Sequence, residues 1–429
     1  MYVQENQPIT ALSRAPETHT PAAQGCSLAY LVSQHPMLSM TFIVREILAL
    51  RRMNFHIDVA SINAPDRPRD QLTADEIAEA NRTYYIKPRG VPGGISAHCE
   101  ALLRQFPGYC RGAAMMLRLS RTDLKRFIMN LMYFTEALMV GNWMKRRGQR
   151  HVHAHLGQQA ATVGMYVHSV FGFGLSFTLH GPEEFYEARE QYLTEKIAAS
   201  DFVVCISSFA RSQLMKFSPY EHWGKLVVSR LGVDPQVFGP RSVRERADTF
   251  EILCVGRLTP AKGQHILIDA IRSLVDQGRR VRLRIIGAGP DGPSLKKSAA
   301  DLCDSEVVIF EGAVNQDRIR EFYSAADVFC LPSFAEGIPV ALMEAMAMEI
   351  ACVSTQIAGI PELIRNGMDG LLVAASDVEG LSEALARLMD EPALRERLGR
   401  NGRTRVLQHY NLQSSVEKLA AIFAERIRS

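Results

Sequence analysis

The sequence lacks several features that would place it in a specialised class of protein. Its eight cysteines are scattered without a CxxC pair, which argues against a zinc ribbon and indicates reduced core residues of a cytosolic protein. No basic region followed by an apolar stretch opens the chain, so we expect no secretory signal. Residues 127–144 come nearest to a membrane span, but polar residues interrupt a stretch already at the short limit.

The chain also has little net charge, a formal +3, but that charge is unevenly distributed. Residues 101–150 contain 10 basic and 2 acidic residues. A surface this basic favours an anionic partner. We expect no nucleic-acid partner.

Short apolar runs alternate with amphipathic helices along most of the chain, and this alternation predicts parallel sheets covered by helices. The series restarts after a stretch rich in Pro and Arg, which predicts an α/β fold of two doubly wound, Rossmann-like domains, residues 26–238 and 248–410, with a linker near 239–247. Their sheets should face one another across an interdomain cleft. Residues 1–25 have no apolar periodicity, and we expect a disordered arm.

Strands are predicted at residues 28–32, 57–62, 152–155, 175–179, 202–206 and 226–229, then at 251–255, 282–286, 307–310, 328–331, 351–354 and 370–373. Residues 41–52 are predicted to be a helix, and residues 94–147 a block of inserted helices.

Two carboxylates, Glu336 and Glu344, stand eight positions apart around a turn that opens a helix. Pro339 suits a first helical turn, and the residues from 341 to 348 are strong helix formers. Free amides of the turn from Gly337 through Ile338 and Pro339 to Val340, together with the positive helix end, attract phosphate. Carboxylates accept hydrogen bonds from hydroxyls. A nucleotide diphosphate-sugar offers both phosphates for the amides and hydroxyls for the carboxylates.

The segment resembles the E-x7-E signature of the retaining glycosyltransferases of family 4, which have the two-domain GT-B fold. The resemblance implies that Glu336 reaches the donor sugar and that Glu344 holds the ribose. It also implies that the last segment, residues 411–429, is a helix that crosses back to the first domain.

A second cationic element follows the first strand of the second domain, where Gly256 and Arg257 are followed by Lys262 and a further glycine. A guanidinium fork and an ammonium there can bind a diphosphate and stabilise the charge of a departing phosphate. The same family has a similar Gly-Arg and Lys-Gly element, which implies that Arg257 and Lys262 bind the donor pyrophosphate.

A glycine-rich turn favours a different function, NAD binding, because such a turn after a strand is typical of NAD-binding proteins. It contains Gly287, Gly289 and Gly292. Here the turn follows the second strand of its domain, and a cofactor there would leave Arg257 and Glu344 unexplained. Family 4 commonly has glycines at this place, which implies that Gly287 shapes the wall of the donor pocket. A dehydrogenase stays open as an alternative.

His180 ends a strand of the first domain and precedes a glycine, so we expect it to face the cleft. The segment looks like a family element in which this His lies near the transferred sugar, with Glu183 at the usual Asp position. His151, His153 and His155 share one strand face, but their separation of roughly 7 Å per step is too large for a tetrahedral zinc site. We therefore expect no metal site, and no cofactor besides the donor substrate.

The first strand-to-helix loop, which contains Ser39 and Thr41, lacks the glycine pair of many GT-B enzymes. It resembles instead the subgroup that builds exopolysaccharide and colanic-acid-type chains on polyprenyl diphosphate-linked acceptors. This resemblance implies that Ser39, Thr41 and Glu183 contact a carbohydrate or lipid-linked acceptor. The basic segment at 101–150 is also compatible with peripheral docking on the inner face of an anionic membrane. The alternative is that the Met and aromatic residues of this segment are part of the hydrophobic core.

The sequence therefore predicts a cytoplasmic, metal-independent retaining glycosyltransferase. Glu336, His180, Arg257 and Lys262 are its candidate catalytic residues, and the departing phosphate would take the proton of the attacking hydroxyl. Two alternatives remain open at this point: a catalytically silent GT-B protein that binds nucleotides or an assembly partner, and a sugar-nucleotide epimerase of similar fold.

Overall fold

The computed structural model describes residues 26–241 and 248–427. The predicted arm at residues 1–25 and most of the predicted linker, residues 242–247, lie outside the described residues. Within the described part, two separate parallel sheets confirm the predicted α/β fold with two Rossmann-like domains.

The first sheet has seven parallel strands in the order β3-β2-β1-β4-β5-β6-β7. Its strands are β1 (Ser27–Gln34), β2 (His56–Asn63), β3 (Tyr84–Tyr85), β4 (His151–His155), β5 (Gly174–Leu179), β6 (Phe202–Cys205) and β7 (Leu226–Val228). The helices around it are α1 (Thr41–Arg52), α2 (Ala74–Arg82), α3 (Gly90–Arg104), α4 (Phe106–Ser120), α5 (Leu124–Arg147), α6 (Gln159–Phe171), α7 (Glu183–Tyr186), α8 (Leu193–Ala199) and α9 (Ser208–Lys216). The strand order reverses between β1 and β4, and ligands of such sheets bind at this reversal.

The second sheet has six parallel strands in the order β10-β9-β8-β11-β12-β13. Its strands are β8 (Phe250–Val255), β9 (Val281–Ile286), β10 (Val308–Gly312), β11 (Val328–Leu331), β12 (Ala351–Thr355) and β13 (Leu371–Val373). The helices are α10 (Gln264–Asp276), α11 (Gly292–Ser298), α12 (Ala300–Asp304), α13 (Gln316–Ala325), α14 (Val340–Ala347), α15 (Ile360–Leu363), α16 (Val378–Asp390), α17 (Pro392–His409) and α18 (Leu412–Arg426). Here the order reverses between β8 and β11, so the loops after these two strands are neighbours.

The central strand β11 is buried and is a continuous apolar run, whereas the equally buried β4 contains three histidines among its five residues. In β1, the buried residues from Leu28 to Val32 pair with both β2 and β4. Side chains cap the start of some helices: Thr73 and Glu76 form a capping box at α2, and Asp123 caps α5. These caps satisfy amides that have no partner within the helix.

Helices α3, α4 and α5 lie between β3 and β4 in the chain and pack on one another and on α6. The ring of Trp143 on α5 stacks on Tyr84 of β3 at a centroid distance of 5.1 Å. The two-residue strand β3 was not predicted, because so short a strand has no periodicity of its own. Within residues 26–241 and 248–427, no helix combines the length and apolar character that crossing a bilayer demands.

Helix α18 packs on the first domain although it follows the second in the chain. Phe423 is fully buried among residues of the first sheet, with ring contacts to Tyr30, His153 and Phe202. The helix shares an apolar cluster with α1, β1 and β2.

We expect Phe423→Ala to destabilise the first domain by about 3 to 5 kcal/mol, because it removes a fully buried ring and leaves a cavity. Urea unfolding followed by circular dichroism measures the change. Lys418→Ala, at an exposed position of the same helix, is the matched control and should change the free energy of unfolding by less than about 0.5 kcal/mol. Equal stability of the two variants would contradict the packing described.

Candidate active site

A cleft of about 610 Å³ lies between the carboxyl ends of the two sheets, and residues of both domains line it. The structure places twelve of the fourteen predicted site residues along this cleft: Thr41, His180, Gly256, Arg257, Lys262, Gly287, Glu336, Gly337, Ile338, Pro339, Val340 and Glu344. The side chains of the other two, Ser39 and Glu183, lie outside the described part of the structure. The roles given to these residues stay predictions.

Lys262 and Glu336 meet because they follow the two strands at which the sheet order reverses. Lys262 ends a 3₁₀ turn after β8, and Glu336 lies in the loop after β11. The Lys262 ammonium donates a hydrogen bond to Glu336 Oε1 at 2.5 Å, and the Ser333 hydroxyl donates to the same oxygen at 2.7 Å. Any phosphate bound here would share the Lys262 charge with this buried carboxylate.

Glu344 lies on α14, the helix that begins directly after Pro339. Its side chain is buried and lines the cleft. Its Oε2 accepts a hydrogen bond from the Tyr323 hydroxyl at 3.1 Å, and Arg45 NH1 of the first domain lies 3.7 Å from Oε1. Burial raises the pKa of the Glu344 carboxyl, while Arg45 and Tyr323 act in the opposite direction. Glu344 therefore joins the two domains electrostatically.

Arg45 was not predicted as a site residue. It lies on α1, and its guanidinium also faces the ring of Phe238 at 5.6 Å. The only signal available from sequence was its position one turn after Thr41 on the helix that follows the cleft-lining loop.

Gly287 shows what the glycine-rich turn after β9 does in the fold. The residue has φ +143°, and a Cβ atom there would lie 1.9 Å from the carbonyl oxygen of Gly256. Gly289 similarly approaches the carbonyl oxygen of Leu258. These glycines are needed because the turn packs directly against the backbone of the loop that carries Arg257.

The loop that carries His180 is held by a buried carboxylate that was not predicted, that of Glu184. Glu184 Oε2 accepts hydrogen bonds from the amides of His180 at 2.6 Å and Gly181 at 2.9 Å, and Oε1 accepts from the amide of Gly157. The Lys196 ammonium, also buried, donates to the carbonyl of Gly157 at 2.6 Å. Burial raises the pKa of Glu184, and its amide donors and Lys196 oppose that shift.

Two of the three histidines of β4, His151 and His153, bond to hydroxyls of the neighbouring strand. His153 lies 2.8 Å from the Ser176 hydroxyl and 2.9 Å from that of Thr178. Burial lowers the pKa of His153 well below its ordinary value. Within residues 26–241 and 248–427, no group of His, Cys, Asp and Glu side chains is arranged to hold a metal ion.

The two domains touch backbone to backbone at the cleft. A Cβ atom on Gly337 would lie 1.9 Å from the carbonyl oxygen of His180. Nearby, the Glu362 carboxylate of the second domain accepts hydrogen bonds from the amides of Ser208 at 3.0 Å and Phe209 at 2.7 Å. These amides open α9 of the first domain, where a negative charge is favourable.

We expect Gly337→Ala to force these two loops apart, because the added methyl group cannot fit against a carbonyl oxygen at that distance. Amide hydrogen exchange at Ser208 and Phe209 should rise severalfold as Glu362 withdraws from α9. Gly181→Ala, whose added methyl group meets open space, is the matched control. Unchanged exchange in Gly337→Ala would show that domain contact does not depend on this close approach.

Residues 240–405 match the model of the family described as glycosyl transferases group 1. The chain is 29% identical over 370 residues to a putative colanic acid biosynthesis glycosyltransferase, WcaL, of Escherichia coli (strain K12); the match covers 84% of this chain and 89% of that protein.

Two solved structures have the same fold at low identity. A sucrose-phosphate synthase from Thermosynechococcus elongatus superposes with a TM-score of 0.70 at 19% identity, over 93% of this chain and 98% of that one. Anabaena HepE, solved in complex with UDP and glucose, superposes with a TM-score of 0.69 at 16% identity, over 92% and 99% of the two chains. The second domain thus matches the model of the group 1 glycosyltransferases, the chain is similar to WcaL along most of its length, and its fold is the two-domain GT-B fold.

Proposed function

We propose that the protein is a retaining glycosyltransferase that moves a sugar from a nucleotide diphosphate-sugar to an acceptor hydroxyl during exopolysaccharide or cell-surface polysaccharide assembly. One observation carries the proposal: Lys262, Glu336 and Glu344 of one domain and His180 of the other line a single cleft at the reversal point of both sheets. The relative from Escherichia coli named for colanic acid biosynthesis supports the polymer class.

The donor would bind to the second domain through its phosphates and ribose. Arg257 and Lys262 supply positive charge to the diphosphate, and the amides at the start of α14 add partial charge. Glu344 accepts hydrogen bonds from the ribose hydroxyls. HepE binds UDP on the same fold, which supports a nucleoside diphosphate as the ligand of this cleft.

Transfer would then proceed on one face of the sugar. Glu336 orients the sugar through its hydroxyls while Lys262 stabilises the negative charge that grows on the departing phosphate. As the bond from the anomeric carbon to the phosphate oxygen breaks, the acceptor oxygen bonds to that carbon from the same face. The acceptor's proton passes to the departing phosphate, so the anomeric configuration is retained.

Glu336→Gln and Lys262→Ala should distinguish the orientation of the sugar by Glu336 from the stabilisation of the phosphate charge by Lys262. We expect Glu336→Gln to lower sugar transfer by roughly 100-fold or more while nucleoside diphosphate still binds, because the substitution keeps the shape and removes the charge. Lys262→Ala should lose both transfer and nucleotide affinity. Product formation and isothermal calorimetry measure the two effects.

Glu321→Gln and Lys297→Ala, at exposed positions of the same domain, are the matched controls. Full transfer activity in either site variant would refute the assignment. The donor is found first by screening uridine, guanosine and adenosine diphosphate-sugars for slow hydrolysis. Epimerisation of the donor sugar, rather than its hydrolysis, without an acceptor would favour an epimerase, and undetectable nucleotide binding would favour a silent protein.

The acceptor proposed here is linked to polyprenyl diphosphate, and one surface of the first domain fits a role at an anionic membrane. Among the described residues, eleven of the seventeen exposed large apolar side chains lie between residues 91 and 132, on α3, α4 and α5. Leu103 is 86% exposed, Val91 75% and Leu124 73%. A soluble surface rarely concentrates so many apolar side chains without a partner.

Basic side chains accompany these apolar residues. Arg104, Arg118 and Lys125 are exposed on the same three helices, and Arg121 is exposed in the turn between α4 and α5. A surface that combines apolar side chains with positive charge is complementary to the headgroup region of an anionic bilayer. We call this surface of α3, α4 and α5 the basic apolar face, and we propose that it holds the enzyme peripherally on the inner side of the membrane.

The protein should sediment with phosphatidylglycerol vesicles but not with phosphatidylcholine vesicles, and high salt should weaken the binding because it screens the basic side chains. The double substitution Leu103→Ser with Leu124→Ser should weaken binding roughly tenfold or more. Leu407→Ser, an exposed leucine of the second domain, is the matched control. Equal vesicle binding by the double variant and the control would refute docking through this face.

A further inference from the structure

Four side chains from different segments of the chain form a closed ring of contacts beside the cleft. They are Glu344 of α14, Tyr323 of α13, Phe238 of the segment that joins the domains, and Arg45 of α1 in the first domain. The Tyr323 hydroxyl donates a hydrogen bond to Glu344 Oε2 at 3.1 Å, and the Tyr323 ring meets that of Phe238 edge-on, with centroids 6.1 Å apart. The Arg45 guanidinium faces the Phe238 ring at 5.6 Å and lies 3.7 Å from Glu344 Oε1. Both domains therefore fix the position of Arg45.

Glu344 is the member of this ring that can touch a ligand. Of the four residues, Glu344 alone is among the described residues that line the cleft. Its side chain is only 7% exposed, and that of Arg45 is 20% exposed. An effect of Arg45 on a ligand in the cleft is therefore transmitted through the Glu344 carboxylate.

A carboxylate so deeply buried needs a nearby positive charge to stay ionised. Burial raises the pKa of Glu344, whereas the charge of Arg45 and the hydroxyl of Tyr323 lower it. A guanidinium stays protonated at every pH at which proteins are folded, so this charge is constant. Without Arg45, the carboxyl would be buried without this counter-charge, which favours its neutral, protonated form.

The same contacts leave Glu344 free to accept further hydrogen bonds. Each carboxylate oxygen has two lone pairs, and Tyr323 approaches one oxygen while Arg45 approaches the other. One lone pair on each oxygen remains for hydroxyls in the cleft. A ribose presents two neighbouring hydroxyls, and hydrogen bonds to an ionised carboxylate are roughly twice as strong as those between neutral groups.

We propose that Arg45 is a positioning residue for the ribose of the donor: it holds Glu344 ionised and oriented, so that the cleft selects ribonucleotides over deoxyribonucleotides. The ribose as the ligand of Glu344 rests on the proposed function. A residue of the first domain thereby determines a selectivity that is expressed in the second. Selection of the ribose is complete only while the two domains are in contact, because Arg45 reaches Glu344 across their boundary.

The selectivity is measured on the full-length protein by isothermal titration calorimetry, with the diphosphates of uridine, guanosine and adenosine and their 2′-deoxy analogues. We expect the natural protein to bind its preferred ribonucleotide roughly tenfold or more tightly than the deoxy analogue, because the analogue leaves a charged acceptor unpaired. Arg45→Met removes the charge and should lower this ratio about fivefold or more, mainly by weakening the ribonucleotide. Arg45→Lys restores a charge without the planar fork and should recover part of the ratio.

Two further variants show whether Arg45 acts through the carboxylate. Arg52→Met, at an exposed position of the same helix, is the matched control and should keep the natural ratio. Glu344→Gln should lower the ratio by itself, and Arg45→Met should lower it little further in that background, because the two residues act as a unit. Thermal unfolding without ligand checks the fold of each variant, and Arg45→Gln replaces Arg45→Met if the latter does not fold.

A contact that only holds the domains together would weaken both kinds of nucleotide equally. An unchanged ratio in Arg45→Met, or independent effects of Arg45→Met and Glu344→Gln, would therefore overturn the proposal while nucleotide binding, and with it the proposed function, stands. If none of the nucleoside diphosphates binds to the natural protein, the proposed function fails and this proposal fails with it.

Discussion

The candidate site depends on the direct contact between the two domains at the mouths of their sheets. Gly337 meets the backbone of His180 without an intervening side chain, and Arg45 lies beside Glu344 across the same boundary. The second domain contributes the cationic side chains of Arg257 and Lys262 to the cleft, and the first domain contributes His180. Because the interactions between the domains use residues predicted to bind the donor, donor binding at these residues would be energetically coupled to the domain arrangement.

The charges of the site are paired before any ligand enters it. Lys262 bonds to Glu336, and Arg45 neutralises Glu344, so burial of these groups does not leave an uncompensated charge. A diphosphate that enters the cleft would add negative charge beside Lys262. A ligand that carries both phosphates and hydroxyls would offer charged and hydrogen-bonding partners to these groups.

Much of the fold and the placement of the site could be predicted from the sequence, because parallel strands buried on both faces are continuous apolar runs. The bounds of α1 and of β11 agree with the prediction residue for residue. Lys262 and Glu336 could be placed together because strand-to-helix loops converge at one edge of such a sheet. The roles of these residues rest on resemblance and await the experiments described.

Other features could not be predicted, for physical reasons. The contact of Arg45 with Glu344 depends on how two separately folded domains sit against each other, which no local pattern encodes. The carboxylate that holds the His180 loop is Glu184, and choosing it over Glu183 requires the rotational phase of the four-residue helix α7.

Helix α18 has a consequence for how the chain acquires its structure during synthesis. Its Phe423 fills the core beside Tyr30, so almost four hundred residues separate two side chains that must meet. The nascent first domain leaves the ribosome with part of its apolar interior uncovered, and it waits in that state until the second domain and the last helix have emerged. Synthesis through α18 is thus a condition for a fully packed first domain, and a chain that stops before α18 should be a substrate for chaperones and proteases.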